Sequence, residues 1–143
     1  MRETLPRFEE LGVAVGCVVQ GTAEEMARFC GRHGVAAICI PDPRRESYRA
    51  MGLERTTWWN ILFPSAEGRR RRAQAKAAGC SVNLEGALQK HSDVLQLPGA
   101  AFVEHGGRVV WLHRGESPAD IPPPAELLKI AKSRASKELQ QSE

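Results

Sequence analysis

Residues 93–128 read DVLQLPGAAFVEHGGRVVWLHRGESPADIPPPAELL, and they carry the strongest indication of the fold. Gly106 and Gly107 stand between AAFVEH and RVVWLHR, two runs rich in Val, Phe and Trp. A Gly-Gly pair between such runs predicts an antiparallel β-hairpin, because a tight hairpin turn needs residues that tolerate positive φ. The proline-rich segment after the hairpin predicts a turn, followed by a helix that packs back on the sheet.

Two apolar runs upstream of the hairpin predict two further strands. The first run is GVAVGCVVQG, residues 12–21, and the second is VAAICI, residues 35–40. Nearly continuous apolar runs of this length are typical of strands that are buried on both faces of a parallel sheet. The chain between the two runs is long enough for a helix, so the pattern predicts a right-handed parallel crossover.

Helix signals follow each of these strands. Thr22 and Glu25 have the spacing of a capping box, in which each side chain accepts a hydrogen bond from a free backbone N–H. The core stripe of that helix is predicted at i, i+3, i+4 and i+7, which gives Met26, Phe29, Cys30 and His33. Asp42 is predicted to cap the next helix, with Pro43 at its first position and an end near Gly52.

Residues 53–92 show no clear period. Trp58 and Trp59 belong to an apolar cluster that we predict to be part of the core. A helix is predicted to start at Pro64 and Ser65 and to pass through Arg69–Arg72. The organisation predicted for the whole chain is one domain at residues 1–133 and a polar tail at residues 134–143.

Composition excludes several protein classes. The chain has 143 residues, of which 42% are hydrophobic and 26% charged, as expected for a globular domain with a sizeable core. No apolar run approaches the ~20 residues that span a bilayer, and the first residues lack the apolar core of a secretory signal. We therefore predict a cytoplasmic protein with no membrane partner. In that reducing setting, its four cysteines are expected to be free thiols.

Three segments resemble the peroxiredoxin-like AhpC/TSA branch of the thioredoxin superfamily, which includes prostamide and prostaglandin F synthase. The segments are GVAVGCVVQGTAEEMARFC, IPDPRRESYRAMGL and the stretch from Asp93, with its Asp-x-x-Gln-x-x-Gly, His-Arg and Ala-Asp-x-Pro-Pro patterns. Their order covers most of residues 2–130. The resemblance implies an α/β, thioredoxin-like three-layer fold whose mixed sheet combines parallel crossovers with a C-terminal antiparallel hairpin.

The resemblance also implies a catalytic thiol that this chain does not match. In the family, that thiol follows the first core strand at a helix start, often as Cys-x-x-Cys followed by Arg-Glu. Here the sequence reads Met1-Arg2-Glu3 at the corresponding place, so no catalytic residue is carried over. The first core strand also lacks a counterpart. We favour a protein that starts further upstream; the alternative is a partner strand, for example from a second copy, that fills the gap.

The cysteines of this chain are poor substitutes for that thiol. Cys17 and Cys39 lie in apolar strands and Cys30 lies on a helix core face, so all three are predicted to be small buried residues. Cys80 follows a predicted helix end and is the best candidate for oxidation. It is a weak redox candidate, because the C-terminus of a helix opposes a thiolate.

Other site patterns are weak. The four histidines are His33, His91, His105 and His113. They are not spaced as metal ligands, and no metal or cofactor is predicted. His105 and His113 flank the hairpin, so they could face each other across it. The run Arg69–Arg72 could touch phosphates, but a solvated helix face is the more frequent role of such a run, so nucleic-acid binding is judged unlikely.

The sequence therefore predicts a peroxiredoxin-like thiol oxidoreductase or antioxidant that is inactive or weakly active without the family's catalytic cysteine. The alternative is a thioredoxin-like module without catalysis that self-associates, or binds a protein partner, through its sheet. The partners expected are a second copy of the chain and a thiol reductant protein.

Overall fold

The computed structural model describes residues 4–33, 37–77 and 92–141. The helices are α1 (Leu5–Glu9), α2 (Ala23–His33), α3 (Glu46–Ala50), α4 (Trp58–Leu62), α5 (Ala66–Ala77) and α6 (Pro124–Gln141). The strands are β1 (Gly16–Val19), β2 (Ile38–Pro41), β3 (Gly99–Val103) and β4 (Val109–Arg114). The chain divides into two compact units, Met1–Pro41 with Pro122–Glu143, and Asp42–Ile121.

The first unit contains the predicted parallel crossover. β1 and β2 pair in parallel, with Cys17 opposite Cys39, and α2 connects them and packs on β2. The capping box is also present at the start of α2. The backbone N–H of Thr22 donates to Glu25 Oε2 at 2.7 Å, and that of Glu25 donates to Thr22 Oγ1 at 3.3 Å. Local sequence signals thus correctly predicted the strand pairing and the start of α2 in this region.

The burial predicted for these strands was wrong. Side chains alternate between half-buried and exposed along β1, and Ile38 and Ile40 of β2 are 61% and 47% exposed. Within the described residues each strand pairs with one neighbour, so the apolar runs are not enclosed as they would be inside a larger parallel sheet. Phe29 of the predicted helix stripe is exposed as well. The core of this unit instead lies where α1 contacts α6, and it buries Phe8, Leu128 and Ala131.

The second unit begins with a turn that corrects the predicted position of Pro43. Pro43 lies in the turn before α3, and the N-cap residue is Arg45, whose φ of 54° is left-handed. Asp42 nevertheless stabilises the helix start, because its two carboxylate oxygens accept from the backbone N–H groups of Glu46 and Ser47, both at 2.9 Å. Asp42 was therefore correctly predicted to bind the free N–H groups of the helix start, but it is not the N-cap residue, because the turn intervenes and the helix begins later than predicted.

The middle of the second unit contains α4 and α5. Thr57 caps α4 by accepting from the N–H of Asn60 at 3.3 Å, and Ser65 accepts from that of Gly68 at 3.1 Å, as predicted for a helix start. Trp58 and Trp59 were predicted to be core, but they are 60% and 69% exposed. Nothing among the described residues encloses the apolar side of so short a helix.

The hairpin has the predicted antiparallel register. β3 pairs with β4 so that Ala100 lies opposite His113 and Phe102 opposite Trp111. Gly106 and Gly107 form the turn with φ of 96° and 87°, values that side-chain-bearing residues rarely adopt. Among the described residues, the parallel and antiparallel pairings belong to two separate two-stranded sheets.

The last helix extends through most of the predicted polar tail. α6 continues to Gln141, so residues 134–141 are helical, and the predicted domain boundary at residue 133 stays a prediction. Among the described residues, no helix is both long enough and apolar enough to cross a membrane.

Candidate functional site

The thiol chemistry of the described chain is concentrated in β1, α2 and β2. Cys30, in the C-terminal half of α2, forms a disulfide with Cys39 of β2. The prediction that these two are free thiols in the interior was wrong, since they are bonded and half-buried. Neither residue lies at a helix N-terminus, the position at which the dipole and free N–H groups stabilise a thiolate.

Cys17 is the free thiol of this region. It lies in the middle of β1 and is half-buried. Burial raises the pKa of the Cys17 thiol above its ordinary value, because the charged thiolate is poorly solvated there. A thiol with a raised pKa is mostly protonated at neutral pH and is a slow nucleophile towards peroxides.

Other predicted site residues lie outside the described part of the chain. Cys80 and His91 are among residues 78–91, and the side chain of His33 is likewise not described. The prediction that Cys80 is the best candidate for oxidation is therefore not tested. Within the described residues, no three Cys, His, Asp or Glu side chains converge as metal ligands would.

His113 belongs to a cluster around a buried carboxylate. His105 lies in the hairpin turn, whereas His113 lies opposite Ala100, so the two histidines do not face each other as predicted. Instead, His113 Nε2 lies 3.2 Å from Asp120 Oδ1. Asp120 is buried, pairs with Arg71, and accepts from the backbone N–H of Glu116 at 2.9 Å. The His-Arg and Ala-Asp patterns are therefore joined by a hydrogen-bonded ion-pair cluster.

The arginine run on α5 is engaged within the chain. Its acceptors are Pro64 O for Arg69, the Glu67 carboxylate for Arg70 and Arg71, Asp120 also for Arg71, and Ile61 O for Arg72. Hydrogen bonds from Arg70 and Arg71 lower the pKa of Glu67 to about 2. A phosphate at this face would have to compete with those acceptors.

The Asp-x-x-Gln-x-x-Gly pattern, which begins at Asp93, forms a second ion-pair cluster. The Asp93 carboxylate pairs with Arg45 and with Arg55, whose Nε lies 2.7 Å from Asp93 Oδ2. Burial favours the neutral carboxyl group, but the hydrogen bonds from Arg55 and the Leu95 N–H, with both arginine charges, outweigh it and lower the pKa of Asp93. This carboxylate therefore stays ionised at neutral pH and holds the α3 turn to the segment before the hairpin.

The Gln and Gly of that pattern have positional roles. Gln96 Nε2 donates to Glu54 O at 3.0 Å and to Leu53 O at 3.3 Å. At Gly99, an added Cβ would lie 2.6 Å from Leu53 Cδ2 and 2.9 Å from His113 O, so a larger residue would force β3 away from its neighbours. The sequence pattern includes Gln96 and Gly99 but does not indicate a function for them. The residues that they contact are distant in the chain, so the contacts cannot be inferred from the sequence.

Comparison with known proteins assigns the family. A family model described as AhpC/TSA antioxidant enzyme matches residues 1–117. A search of the curated proteins found no match, and a search of the solved structures found none either. Because the family match covers most of the chain, the chain belongs to the AhpC/TSA family. The family is thioredoxin-like and peroxiredoxin-like, so the predicted fold class and a redox function at family level are confirmed.

Proposed function

We propose that this AhpC/TSA family member is a cytoplasmic, peroxiredoxin-like thiol protein whose described cysteines do not support efficient peroxide turnover. The observation that carries the proposal is the placement of those cysteines. Cys17 is a mid-strand thiol with a raised pKa. Cys30 and Cys39 are bonded to each other, and because neither lies at a helix N-terminus, their reduction does not supply the thiolate that such a position stabilises. Peroxide reduction requires a thiolate that becomes a sulfenic acid and is then resolved by a second thiol.

The test is peroxide consumption by the purified 143-residue chain with excess dithiothreitol as reductant. We expect a rate no higher than that of the same chain after thermal unfolding, normalised per thiol. Cys80→Ser is the matched variant, because Cys80 is the cysteine that lies outside the described residues. Many turnovers per chain that survive Cys80→Ser would refute the proposal, because a described cysteine would then carry the reaction. Turnover that Cys80→Ser abolishes would instead assign the catalytic role to Cys80.

The finer family placement is part of the same proposal. We place the chain among the relatives of prostamide and prostaglandin F synthase, on the order of the three segments described above. These enzymes, as their names state, yield F-type prostaglandin products, so a reduced sample of the chain can be offered a prostaglandin endoperoxide. Stoichiometric or catalytic reduction by the wild-type chain, lost after alkylation of its thiols, would support the placement. Reduction no faster than that by dithiothreitol alone would oppose it.

A second candidate, self-association without catalysis, is favoured by the exposed face of β1 and β2. Val18, Ile38 and Ile40 are exposed there, and each strand pairs with one neighbour among the described residues. Unpaired strand edges beside apolar side chains are templates for further pairing. A groove of about 310 Å³, with Val13 and Val15 in its lining, adjoins Ile38. This surface could accept a strand from a second copy.

Sedimentation velocity across a concentration series distinguishes this candidate. We expect a dimer that dissociates on dilution, and a lower association constant for Ile38→Lys, since a lysine on an edge strand opposes pairing. Glu24→Lys on exposed α2 is the control for added charge and should leave association unchanged. A monomer at every concentration would exclude this candidate and leave the proposed thiol function untouched.

A further inference from the structure

The Cys30–Cys39 disulfide joins two elements that are adjacent both in the chain and in space. It links α2 to β2 across a sequence separation of 9, and the two Cα atoms are 7.1 Å apart. This separation lies just beyond the usual range of about 4.4–6.8 Å. The bond therefore depends on α2 packing on β2, which the crossover provides.

Both bonded cysteines are partly accessible. Cys30 and Cys39 are half-buried, and Phe29, the neighbour of Cys30, is exposed, as are Ile38 and Ile40 on either side of Cys39. Thiol–disulfide exchange requires that an attacking thiolate reach a sulfur along the S–S axis, so access limits which disulfides can be reduced in a folded protein. A bridge in such surroundings is open to a thiol reagent without unfolding of the chain.

A third cysteine lies beside this bond. The parallel register places Cys17 of β1 directly opposite Cys39 of β2, and neighbouring strands are about 4.8 Å apart. Register partners point to the same face of a sheet, so Cys17 stands next to the disulfide. Cys17 is the free thiol and Cys30–Cys39 is the bonded pair, and burial raises the pKa of the Cys17 thiol.

We propose that Cys30 and Cys39 form a reversible dithiol–disulfide site that exchanges two electrons with dithiols. This goes beyond the proposed function, because it concerns exchange with thiols and not peroxide turnover. Both proposals use the Cys30–Cys39 bond, but peroxide consumption tests the first and the redox state of the cysteine pair tests the second. The site lies away from the family's cysteine position at a helix start. Its electron donor would be a small dithiol or the vicinal dithiol of a reductant protein.

The exchange balances as two successive substitutions at sulfur. A thiolate of the dithiol attacks one sulfur of the pair, the Cys30–Cys39 bond breaks, and the departing cysteine thiolate takes up a proton. The second thiolate of the dithiol then attacks the mixed disulfide, which releases the other cysteine as a thiol. Overall, the chain gains two electrons and two protons, and the dithiol is oxidised to a disulfide.

Trypsin makes this site directly measurable. Cleavage after Arg28, Arg32 and Arg44 places Cys30 in the peptide FCGR and Cys39 in the peptide HGVAAICIPDPR. Cys17 and Cys80 lie in two other tryptic peptides. The folded chain is equilibrated without oxygen in reduced and oxidised dithiothreitol at a series of ratios. It is then quenched with acid, alkylated with N-ethylmaleimide, digested and analysed by mass spectrometry.

We expect one cross-linked pair, FCGR with HGVAAICIPDPR, that converts to two alkylated peptides over about a hundredfold change of the dithiothreitol ratio. Cys17→Ser and Cys80→Ser should preserve this transition, and Cys30→Ser should abolish it. A cross-link of Cys30 or Cys39 to Cys17, to Cys80 or to another chain would overturn the proposal. A pair that stays fully alkylated, or fully bonded, at every ratio would also overturn it. The wild-type map is decisive even if a variant fails to fold.

Discussion

The β1–α2–β2 region and the hairpin region are fastened by different chemistry. In the first, the capping box fixes the start of α2 and the Cys30–Cys39 disulfide ties the helix to β2. In the second, the carboxylates of Asp93 and Asp120 form ion pairs with arginines from distant parts of the sequence. We therefore expect reductant and acid to lower the stability of this protein through different regions.

The largest effect is expected from Asp120→Ala. The substitution leaves Arg71, His113 and the Glu116 N–H without their buried acceptor. Hydrogen bonds to a charged acceptor contribute about 1.5–3 kcal/mol each, and Arg71 keeps its pair with Glu67, so we expect the free energy of unfolding to fall by about 3 kcal/mol in total. Urea unfolding followed by tryptophan fluorescence measures this, because Trp111 stacks beside His113 with 6.3 Å between the ring centroids.

Glu67→Gln is the matched control for that experiment. It removes a carboxylate that also pairs with Arg71, but at an exposed position where ion pairs contribute little. We expect no measurable change in its urea midpoint. Equal losses in the two variants would show that burial of Asp120 does not matter to the cluster.

Reduction of the Cys30–Cys39 disulfide should have the next largest effect. On the chain-entropy account, a loop closed over a sequence separation of 9 stabilises the folded state by about 2.5 kcal/mol. We therefore expect a lower urea midpoint, measured by circular dichroism at 222 nm, when a phosphine reductant is present. Cys39→Ser should have the lower midpoint with or without reductant. A wild-type midpoint that reductant does not shift would contradict a stabilising role.

Acid should weaken the ion pairs of Asp93 with Arg45 and Arg55. Because the pKa of Asp93 is lower in the folded than in the unfolded chain, the folded state binds fewer protons between the two values. Its stabilisation is fully present above the unfolded pKa, about 3.9, and is lost as the pH falls through the folded pKa. At pH 7 we expect Asp93→Asn to lower the free energy of unfolding by about 1–2 kcal/mol.

The pH profile of the difference between wild type and Asp93→Asn is the measurement. Asp42 and Glu67 also have lowered pKa values and titrate in both proteins, so their contributions cancel in the difference. The gap between the two unfolding curves should shrink from pH 5 towards pH 2. Parallel curves throughout would mean that Asp93 contributes no pH-dependent stability.

The smallest effect is expected at the capping box. Thr22→Ala removes the oxygen that accepts from the Glu25 N–H, and such a loss costs about 1 kcal/mol. Thr22→Ser keeps the oxygen and should restore most of the stability. Thermal unfolding at 222 nm compares the three proteins, and a serine variant as unstable as the alanine variant would argue against capping as the cause.

Features that depend on neighbours in the chain were predictable here. The capping box at Thr22, the helix start at Ser65 and the Gly106–Gly107 turn each need groups within a few residues of one another, so their residue types are sufficient evidence. The family pattern around Asp93 and Asp120 was also visible, although not what its side chains bind.

Features that depend on distant contacts were not predictable. Trp58 and Trp59 are as apolar as core residues, but their exposure depends on what the rest of the fold places above α4. The same holds for Ile38 and Ile40, whose run predicts a strand but cannot show how many neighbours that strand will have. Burial is a property of the packed chain and not of a segment.

The sequence patterns were sufficient to predict the family and the order of strands and helices. Two features follow only from the folded chain: Cys30 bonds to Cys39 with Cys17 beside them, and Asp120 contacts both Arg71 and His113. The difference comes from the distance along the chain over which each interaction acts. Backbone propensities and caps act over a few residues, whereas disulfides and buried ion pairs form between atoms that only the fold brings together.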